Sequence, residues 1–245
     1  MLINGECLEE MRKLPDSSVD MILCDLPYGT TACKWDVIIP FDKLWEQYNR
    51  IIKDNGAIVL TSTEPFTSKL IMSNIKCFKH KWIWNKKLSG NFGVAKFMPM
   101  QIVEDICVFS KNGNKVNYFP IMTKGKLRKR YLSKARKQVC TGMKGNGECY
   151  KISDKYYPKN IIEIGNTDRK NIIHPTQKPV ALFEYLIKTY TYKGMSVLDN
   201  TCGSGTTAVA CLNTERNFIC IEKEQKYVKV AQQRIKDLLE IERFL

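Results

Sequence analysis

The sequence predicts an α/β fold with a doubly wound, mostly parallel sheet, built as a single domain that carries a basic insertion. Short apolar runs with strand character alternate with amphipathic helical segments along most of the 245 residues. This order is typical of parallel sheets whose two faces are covered by helices. The alternation stops between residues 111 and 147, a stretch that contains five glycines and eleven basic residues but no acidic residue.

The chain ahead of that stretch is predicted to form four strands and two helices. Apolar residues at 41, 44, 45, 48, 51 and 52 have helical spacing and predict a helix over 41–53, which Asn55-Gly56 then ends. Short apolar runs predict strands at 19–24, 57–60, 81–84 and 105–110, and a second helix is predicted at 65–75.

The alternation resumes after the basic stretch. A helix over 179–190 begins with Pro179, a residue type favoured in the first helical turn. Strands at 196–199 and 218–222, a helix over 206–212 and a long helix over 226–241 follow. Ligands of such sheets bind where the strands reach their carboxyl ends, so functional residues are expected at those ends.

The net charge of +14, from 39 basic and 25 acidic residues, is concentrated in the stretch 111–147, which alone carries +11. The rest of the chain is close to neutral, as in an ordinary enzyme. A charge excess of this kind indicates a polyanionic partner, with nucleic acid the first candidate and a membrane surface the second. A solvated surface loop is the alternative that stays open.

Composition also bears on the compartment. No apolar run approaches the roughly 20 residues of a membrane span, and residues 1–10 lack the pattern of a signal peptide. The ten cysteines include no Cys-x-x-Cys pair, and several lie within apolar runs, so they are interpreted as small buried hydrophobic residues. With only two histidines in the chain, no metal site is expected. The protein is therefore expected to be cytoplasmic.

The first motif, Asp25-Leu26-Pro27-Tyr28, follows the strand predicted at 19–24. An aromatic amine is a poor nucleophile because its lone pair is delocalised into the ring. The Asp25 carboxylate and the Leu26 carbonyl can accept both amine hydrogens and stabilise the charge that develops on nitrogen. Tyr28 can stack on the base that carries the amine. A plain Asp-Pro turn with a packed tyrosine explains the four residues equally well.

The second motif, residues 197–207, passes from a strand through a glycine turn into a helix. It lacks the Gly-Lys-Ser/Thr of a phosphate loop and the spacing of the dinucleotide fingerprint. Asp199 suits a ligand with an ammonium group, and Glu222, at the end of the next strand, suits ribose hydroxyls. A nucleoside that carries an amino acid satisfies these groups, which predicts S-adenosylmethionine. A simple strand-to-helix turn is the alternative.

Taken together, these motifs resemble the amino-group DNA methyltransferases that carry an Asp-Pro-Pro-Tyr-type motif. Asp25-Leu26-Pro27-Tyr28 is similar to the catalytic motif, residues 174–179 (His-Pro-Thr-Gln-Lys-Pro) to the segment before the cofactor half, and residues 199–207 to the cofactor loop. The order of catalytic motif, basic insertion and cofactor loop is similar to the permuted arrangement called the beta class. The resemblance implies the Rossmann-like sheet of the S-adenosylmethionine-dependent methyltransferases.

The resemblance also implies a role for each matching residue. The target-amine pocket would consist of Asp25, Leu26, Pro27 and Tyr28. Residues that border the cofactor would be Glu6, Cys7, Asp25, Gln177, Lys178, Asp199, Cys202, Gly203, Ser204, Gly205, Thr206 and Glu222. Residues that contact DNA would be Lys34 and Trp35, in a mobile loop over 30–36, and Lys124, Lys126, Arg128, Lys129, Arg130, Lys134, Arg136 and Lys137, in a target-recognition insertion over about 112–168.

Some positions depart from the family pattern. Leu26 replaces the first proline, a change that should be tolerated because only its carbonyl takes part in the chemistry. Asn200 and Thr201 replace Pro-Phe, which puts aromatic packing at that position in doubt, and Glu6 replaces the more usual aspartate. His174 is interpreted as a structural hydrogen-bonding residue rather than a general base.

The implied activity is direct methyl transfer from S-adenosylmethionine to the 6-amino group of adenine in duplex DNA, with the base flipped out of the helix. Asp25 favours adenine, since the family's cytosine enzymes more often carry serine there, and the absence of a Pro-Cys dipeptide disfavours ring-carbon methylation. The alternatives are a cytosine 4-amino methyltransferase, an RNA methyltransferase and a catalytically silent DNA-binding or specificity subunit. A homodimer and a cognate restriction endonuclease are partners that the resemblance allows, in a prokaryotic or phage-encoded system.

Overall fold

The computed structural model describes residues 1–31, 33, 36–90, 92–130, 151–166 and 177–242. These residues form two compact units. The larger unit consists of Met1–Phe119 and Asn160–Leu245, and the smaller unit consists of Pro120–Lys159. Within the described ranges, no helix has both the length and the apolar character needed to cross a membrane.

The elements alternate largely as predicted, with short additions. The strands are β1 (Leu2–Asn4), β2 (Val19–Asp25), β3 (Ile52–Ser62), β4 (Phe78–Asn85), β5 (Val103–Ser110), β6 (Thr123–Arg130), β7 (Lys151–Tyr156), β8 (Ile161–Glu163), β9 (Ser196–Asp199) and β10 (Asn217–Glu222). The helices are α1 (Cys7–Arg12), α2 (Phe41–Ile51), α3 (Phe66–Ser73), α4 (Val180–Tyr190), α5 (Thr206–Asn213) and α6 (Gln225–Glu242).

The larger unit is built on one eight-stranded sheet in the order β1-β10-β9-β2-β3-β5-β4-β8. The five strands from β1 to β3 in this order are mutually parallel. Strand β5 runs antiparallel to both β3 and β4, and β8 joins the edge parallel to β4. The predicted fold class, α/β with a doubly wound and mostly parallel sheet, is confirmed.

The order of strand addition reverses between two neighbouring parallel strands, β2 and β9, which pair at Met21↔Val197 and Ile22↔Leu198. From β2 the chain continues through α2 to β3 on one side, and from β9 it continues through α5 to β10 on the other. The connections leave in opposite directions, so a crevice opens at the carboxyl ends of these two strands.

Strand β2 shows how both faces of the sheet become buried. Ile22 and Cys24 point to the face covered by α1, α2 and α3, whereas Met21 and Leu23 point to the face covered by α4 and α5. Because side chains alternate along a strand, a strand buried on both faces needs an unbroken apolar run. Seven of the eight described cysteines are buried as well, and all eight are free thiols.

The prediction for residues 41–56 is wrong at its end. Helix α2 stops at Ile51, and Asn55-Gly56 lies inside β3 instead of ending a helix. The register with β2 shifts there, from Val19↔Ile52 to Met21↔Ala57. A Cβ on Gly56 would lie 2.9 Å from the carbonyl oxygen of Asp20. The glycine therefore permits a bulged strand to approach its neighbour closely. In the sequence, an Asn-Gly pair with this role looks the same as one that forms a turn.

Candidate active site

A cavity of about 770 Å³ opens at the carboxyl ends of the parallel strands. Both motifs contribute to its wall. The predicted site residues that line it are Glu6, Cys7, Asp25, Leu26, Pro27, Tyr28, Gln177, Lys178, Asp199, Cys202, Gly203, Ser204, Thr206 and Glu222. Gly205 is the one predicted pocket residue that does not line the cavity. Two segments far apart in the chain thus form one site.

A hydrogen bond joins the two motifs directly. The hydroxyl of Thr201 donates to the backbone carbonyl of Asp25, with an oxygen–oxygen distance of 3.1 Å. Thr201 stands where the resembled family has phenylalanine, so this position forms a polar tie instead of an aromatic contact. The tie holds the first turn after β9 against the last residue of β2.

The carboxylate of Asp25 has most of its acceptor sites filled. Its Oδ1 accepts hydrogen bonds from the Tyr28 hydroxyl, at 2.7 Å, and from the Thr61 hydroxyl. Its Oδ2 accepts from Lys178 Nζ at 2.8 Å. An ionised carboxylate has about four lone-pair sites. One site on Oδ2 is therefore left for a donor that enters the cavity.

Lys178 is a buried cation shared between two acids. Its side chain is 9% exposed and lies 2.8 Å from Asp25 Oδ2 and 3.4 Å from Glu104 Oε2. The other oxygen of Glu104 pairs with Lys86 at 3.1 Å. Burial acts to lower the pKa of Lys178, but the two carboxylates outweigh it, so the pKa is raised and the ammonium stays charged. No role for Glu104 was predicted from the sequence.

Tyr28 keeps its proton and therefore acts as a donor. Burial and the neighbouring Asp25 carboxylate both raise the pKa of the phenol. Its ring packs against Phe66 with ring centres 5.0 Å apart, and Lys178 Nζ lies 5.7 Å from the ring centre. The hydroxyl is also within 2.9 Å of Thr61 Oγ1. These contacts fix the ring at the cavity wall.

The glycine turn of the second motif requires left-handed backbone at two positions, Gly203 with φ of 51° and Gly205 with φ of 78°. A Cβ on Gly205 would lie 2.8 Å from the Cβ of Ala231 in α6. Gly205 thus faces the helix, which is why it does not line the cavity. Arg234 of the same helix donates to the carbonyl of Ser204 at 2.7 Å and holds the turn in place.

Asp199 ends β9 as a buried carboxylate. One oxygen accepts the amide of Thr201 at 3.0 Å, and the other accepts the hydroxyl of Thr207. Burial outweighs these hydrogen bonds and raises the pKa of Asp199 to about 7. A cationic group placed beside it would restore the ionised form, so the site suits an ammonium ligand.

Glu222 ends β10 in a similar way. Its Oε2 accepts the amide of Gly203 and its Oε1 accepts the amide of Glu224, both at 2.8 Å. Burial raises the pKa of Glu222. These two hydrogen bonds hold the carboxylate rigidly. Each oxygen retains a free acceptor site, so the carboxylate can still accept two donors, such as a pair of ribose hydroxyls.

The contacts of the Asn200 side chain account for its departure from the family pattern. Its side-chain oxygen accepts hydrogen bonds from the Tyr48 hydroxyl at 2.6 Å and from Cys24 Sγ at 2.8 Å. A proline would leave the buried Tyr48 hydroxyl without this acceptor. Within the described part of the chain, Asn200 Nδ2 makes no hydrogen bond. Asn200 lines the cavity, and its Nδ2 atom is buried.

The remaining predicted pocket residues are held by local contacts. Glu6 caps α1 by accepting the amide of Glu9 at 3.0 Å, and Cys7 Sγ lies 3.3 Å from the other Glu6 oxygen. Gln177 accepts the hydroxyl of Ser204 at 3.2 Å. An apolar wall suited to a flat ring comes from Val37, Ile38, Ile39 and Pro40.

The loop that follows the first motif is anchored by Asp36, a residue that the sequence did not single out. Its carboxylate accepts the backbone amides of Gly29, Thr30 and Thr31 at 2.8, 2.9 and 2.7 Å. The start of the predicted mobile loop, 30–36, is thus tied to its end. Lys34 and Trp35 lie outside the described residues.

The smaller unit contains an antiparallel pair, β6 and β7, of which β6 lies within the basic stretch 111–147. Lys124 lies directly opposite Lys155, and the Arg128 guanidinium lies 5.2 Å from the centre of the Tyr156 ring. Like charges opposite each other are unfavourable without a counter-anion. Lys126 also belongs to β6. The side chains of Lys129 and Arg130, and all of Lys134, Arg136 and Lys137, lie outside the described part.

Comparisons with known proteins agree with this geometry. A family model described as DNA methylase matches residues 19–233, a range that includes both motifs. The DNA adenine methyltransferase YhdJ of Escherichia coli strain K12 is 29% identical over 257 residues, which cover 96% of this chain and 82% of the relative.

Two solved structures have the same fold. The M1.HpyAVI–SAM complex superposes with a TM-score of 0.64 at 23% identity, covering 96% of this chain and 98% of the other. The PvuII DNA methyltransferase, described as cytosine-N4-specific, superposes with a TM-score of 0.65 at 15% identity and covers 96% and 89% of the two chains. At these identities the likeness concerns the fold alone.

Proposed function

The chain belongs to the DNA methylase family, the beta-class amino-group DNA methyltransferases, and we propose that it transfers a methyl group from S-adenosylmethionine to the 6-amino group of adenine in duplex DNA. The observation that carries this proposal is the hydrogen bond from Thr201 to the Asp25 carbonyl. It places a carboxylate suited to an amine beside a loop suited to an amino-acid nucleoside, within a single cavity.

The cavity offers the groups that this cofactor needs. Asp199 would accept its ammonium and Glu222 its ribose hydroxyls, and the apolar wall beside Ile38 would cover its adenine. S-adenosylmethionine supplies a methyl group on a sulfonium that is already activated toward nucleophiles. The protein's main task is therefore to align the target amine.

The first motif would hold that amine. The remaining acceptor site on Asp25 Oδ2 and the Leu26 carbonyl provide two acceptors for the two amine hydrogens. They draw the nitrogen away from planarity and stabilise the positive charge that develops on it. Removing one such electrostatic partner typically costs about 10²–10³-fold in rate. Lys178, which donates to the other lone-pair site of Oδ2, holds the carboxylate oriented for this contact.

The base favoured at this site is adenine. Asp25 rather than serine opens the motif, and the relative YhdJ is described as a DNA adenine methyltransferase. Transfer to the 4-amino group of cytosine would use the same acceptors, because both substrates are exocyclic aromatic amines. The product therefore decides between them.

Duplex DNA is the proposed substrate. Lys124, Lys126, Arg128 and Lys155 of the smaller unit would neutralise phosphates, which relieves the repulsion between Lys124 and Lys155. Lys155 was not among the residues singled out in the sequence. A homodimer, a cognate restriction endonuclease and a cytoplasmic location are further predictions.

The experiment is nucleoside mass spectrometry of DNA from a bacterial host that lacks its own DNA methyltransferases and expresses this chain. The expected product is N6-methyladenine, absent when Asp25→Ala is expressed at the same level. N4-methylcytosine instead would identify the 4-amino group of cytosine as the target and contradict the proposed adenine specificity. If the host DNA stayed unmethylated while the purified protein still bound S-adenosylmethionine and DNA, the chain would be a catalytically silent binding subunit.

A further inference from the structure

A hairpin extension, whose described residues are 86–90 and 92–102, leaves the sheet between β4 and β5. Its base is paired by bonds from the Lys86 amide to the Ile102 carbonyl, at 3.0 Å, and from the Gly90 amide to the Gln101 carbonyl, at 2.9 Å. Gln101 also donates through its side chain to Thr63. The extension is therefore a built element of the larger unit.

The extension rises from the edge of the sheet that holds the active site. Strand β3 is parallel to β2 and antiparallel to β5, and β5 is antiparallel to β4. Strand β4 therefore ends at the same edge as β2. Trp84 and Glu104, each two positions outside the ends of the extension, line the active-site cavity.

The extension exposes an unusual amount of apolar surface. Phe97 is 87% exposed and Phe92 is 70% exposed. The other exposed apolar side chains of the extension are Leu88, Met98, Met100 and Ile102. Scattered exposed apolar residues are ordinary, but a group of this size on one short element marks an interaction surface.

Charge indicates what the surface binds. Residues 86–103 contain three lysines and no acidic residue. Lys86 is paired with Glu104, whereas Lys87 and Lys96 make no ion pair within the described ranges. A second copy of this chain that met the surface through the same extension would bring like charges together, because the extension contains lysines and no acidic residue. Nucleic acid combines phosphates for the lysines with stacked bases for the apolar groups.

We propose that the hairpin extension enters the DNA base stack at the target site. Phe97 and the adjacent apolar side chains fill the space that the flipped base leaves, and Lys87 and Lys96 contact the neighbouring phosphates. Apolar wedges of this kind are known to unstack base steps. The inference rests on the proposed function, since only an enzyme that acts on a base inside a duplex must empty the stack.

The test compares single-turnover methyl transfer on two duplexes that carry the site found by methylation sequencing. In one the target base is paired, and in the other it lies opposite an abasic position. Phe97→Ala should slow transfer on the paired duplex about tenfold or more and on the abasic duplex less than about threefold, because the wedge is needed where stacking must be broken. Phe97→Leu, which retains apolar volume, should recover most of the rate.

The matched control is Met72→Ala, which removes a side chain that is 70% exposed on α3 and should change neither rate. Wild-type protein without transfer on either duplex would refute the proposed function and the wedge together. Active wild type with equal effects of Phe97→Ala on both duplexes would refute the wedge alone. A shift from dimer to monomer in sedimentation, with both rates lowered equally, would assign the surface to a second copy instead.

Discussion

Lys178 Nζ lies 2.8 Å from Oδ2 of Asp25, although the two residues are 153 positions apart in the chain. The backbone carbonyl of Lys178 also accepts the hydroxyl of Thr206, at 3.5 Å, so the same residue contacts the helix that follows the glycine turn. Lys178 therefore touches both halves of the site. Its ammonium neutralises Asp25, and its backbone meets the segment proposed to hold the cofactor.

Replacing Lys178 with methionine should destabilise the fold by about 3 kcal/mol or more, because it leaves Asp25 and Glu104 facing each other without their shared buried cation. Urea unfolding measures this change. Lys193→Met is the control, since Lys193 forms an exposed pair with Glu215 and should change stability by less than about 1 kcal/mol. Equal, small effects of the two substitutions would contradict a structural role for the buried lysine.

Gly205 and Gly194 form a matched pair for the glycine turn. Both have left-handed backbone, with φ of 78° and 81°, but a Cβ on Gly205 meets Ala231 at 2.8 Å, whereas one on Gly194 meets nothing within 4 Å. Alanine at either position should cost about 1 kcal/mol of backbone strain. Gly205→Ala should add about 1–3 kcal/mol of overpacking and weaken S-adenosylmethionine binding. Urea unfolding measures the loss of stability, and calorimetric titration measures the loss of S-adenosylmethionine binding. Equal losses for Gly205→Ala and Gly194→Ala would show that α6 tolerates the added methyl.

The Asp36 anchor should respond to acid in a defined direction. Burial acts to raise the pKa of Asp36, but hydrogen bonds from Thr31, Gly29 and Thr30 outweigh it and leave the pKa below its usual value. The stabilisation is thus present above the unfolded pKa of about 3.9 and is lost as the pH falls through the lower folded value. Hydrogen exchange at these three amides, corrected for intrinsic rates, should stay slow from pH 8 to pH 5 and become fast below about pH 4.

Asp36→Asn is the companion variant for this anchor. The neutral amide accepts weaker hydrogen bonds than a carboxylate, so exchange at the three amides should be faster at every pH. If the variant retained wild-type protection, the backbone of the loop and not the Asp36 charge would hold the segment.

Asp199 should make cofactor binding depend on pH. Its folded pKa of about 7 lies above the unfolded value of about 3.9, so the folded protein carries an extra proton between these limits. Stability without cofactor should therefore fall as the pH rises from about 4 to about 7. Affinity for the cofactor's ammonium should rise over the upper part of that range, by up to about tenfold per pH unit below pH 7, because the ionised carboxylate is the binding form.

Calorimetric titration with S-adenosylmethionine between pH 5.5 and 7.5 measures this slope. Asp199→Asn should bind weakly with a flat profile, while Glu222→Gln should bind weakly and keep the slope. Glu222 is the necessary comparison because burial raises its pKa as well. A slope that survives in Asp199→Asn would assign the titration to another group.

The parts of the fold that were predicted correctly depend on local pattern. The unbroken apolar run of β2 and the helical spacing of α4 appear in the sequence because each element buries a continuous surface. The meeting of Asp25 and Asp199 was also predictable, since parallel strands bring their carboxyl ends to one edge. The strands β1 and β8 were missed because three residues are too few to show a period.

The parts that were not predicted depend on which distant segments become neighbours. Asn55-Gly56 resembles a turn, and only the approach of β2 shows why glycine is needed inside a strand. The shared lysine between Asp25 and Glu104 required knowledge that β5 and the segment before α4 meet β2 at the same cavity. The fit of Asn200 to Tyr48 likewise became visible only when α2 was placed against the sheet.

The central claim is that two groups of residues in one cavity have different roles: Asp25 acts on the target amine, and the glycine turn holds the cofactor. The most direct measurement uses one preparation of Asp25→Ala for both single-turnover methyl transfer and calorimetric binding of S-adenosylmethionine. The account predicts a rate lowered about 10²–10³-fold or more, with a Kd within about threefold of wild type because Asp199 and Glu222, the residues proposed to contact the cofactor, are unchanged. Transfer at the wild-type rate would contradict it, as would loss of cofactor binding that accounts for the whole defect.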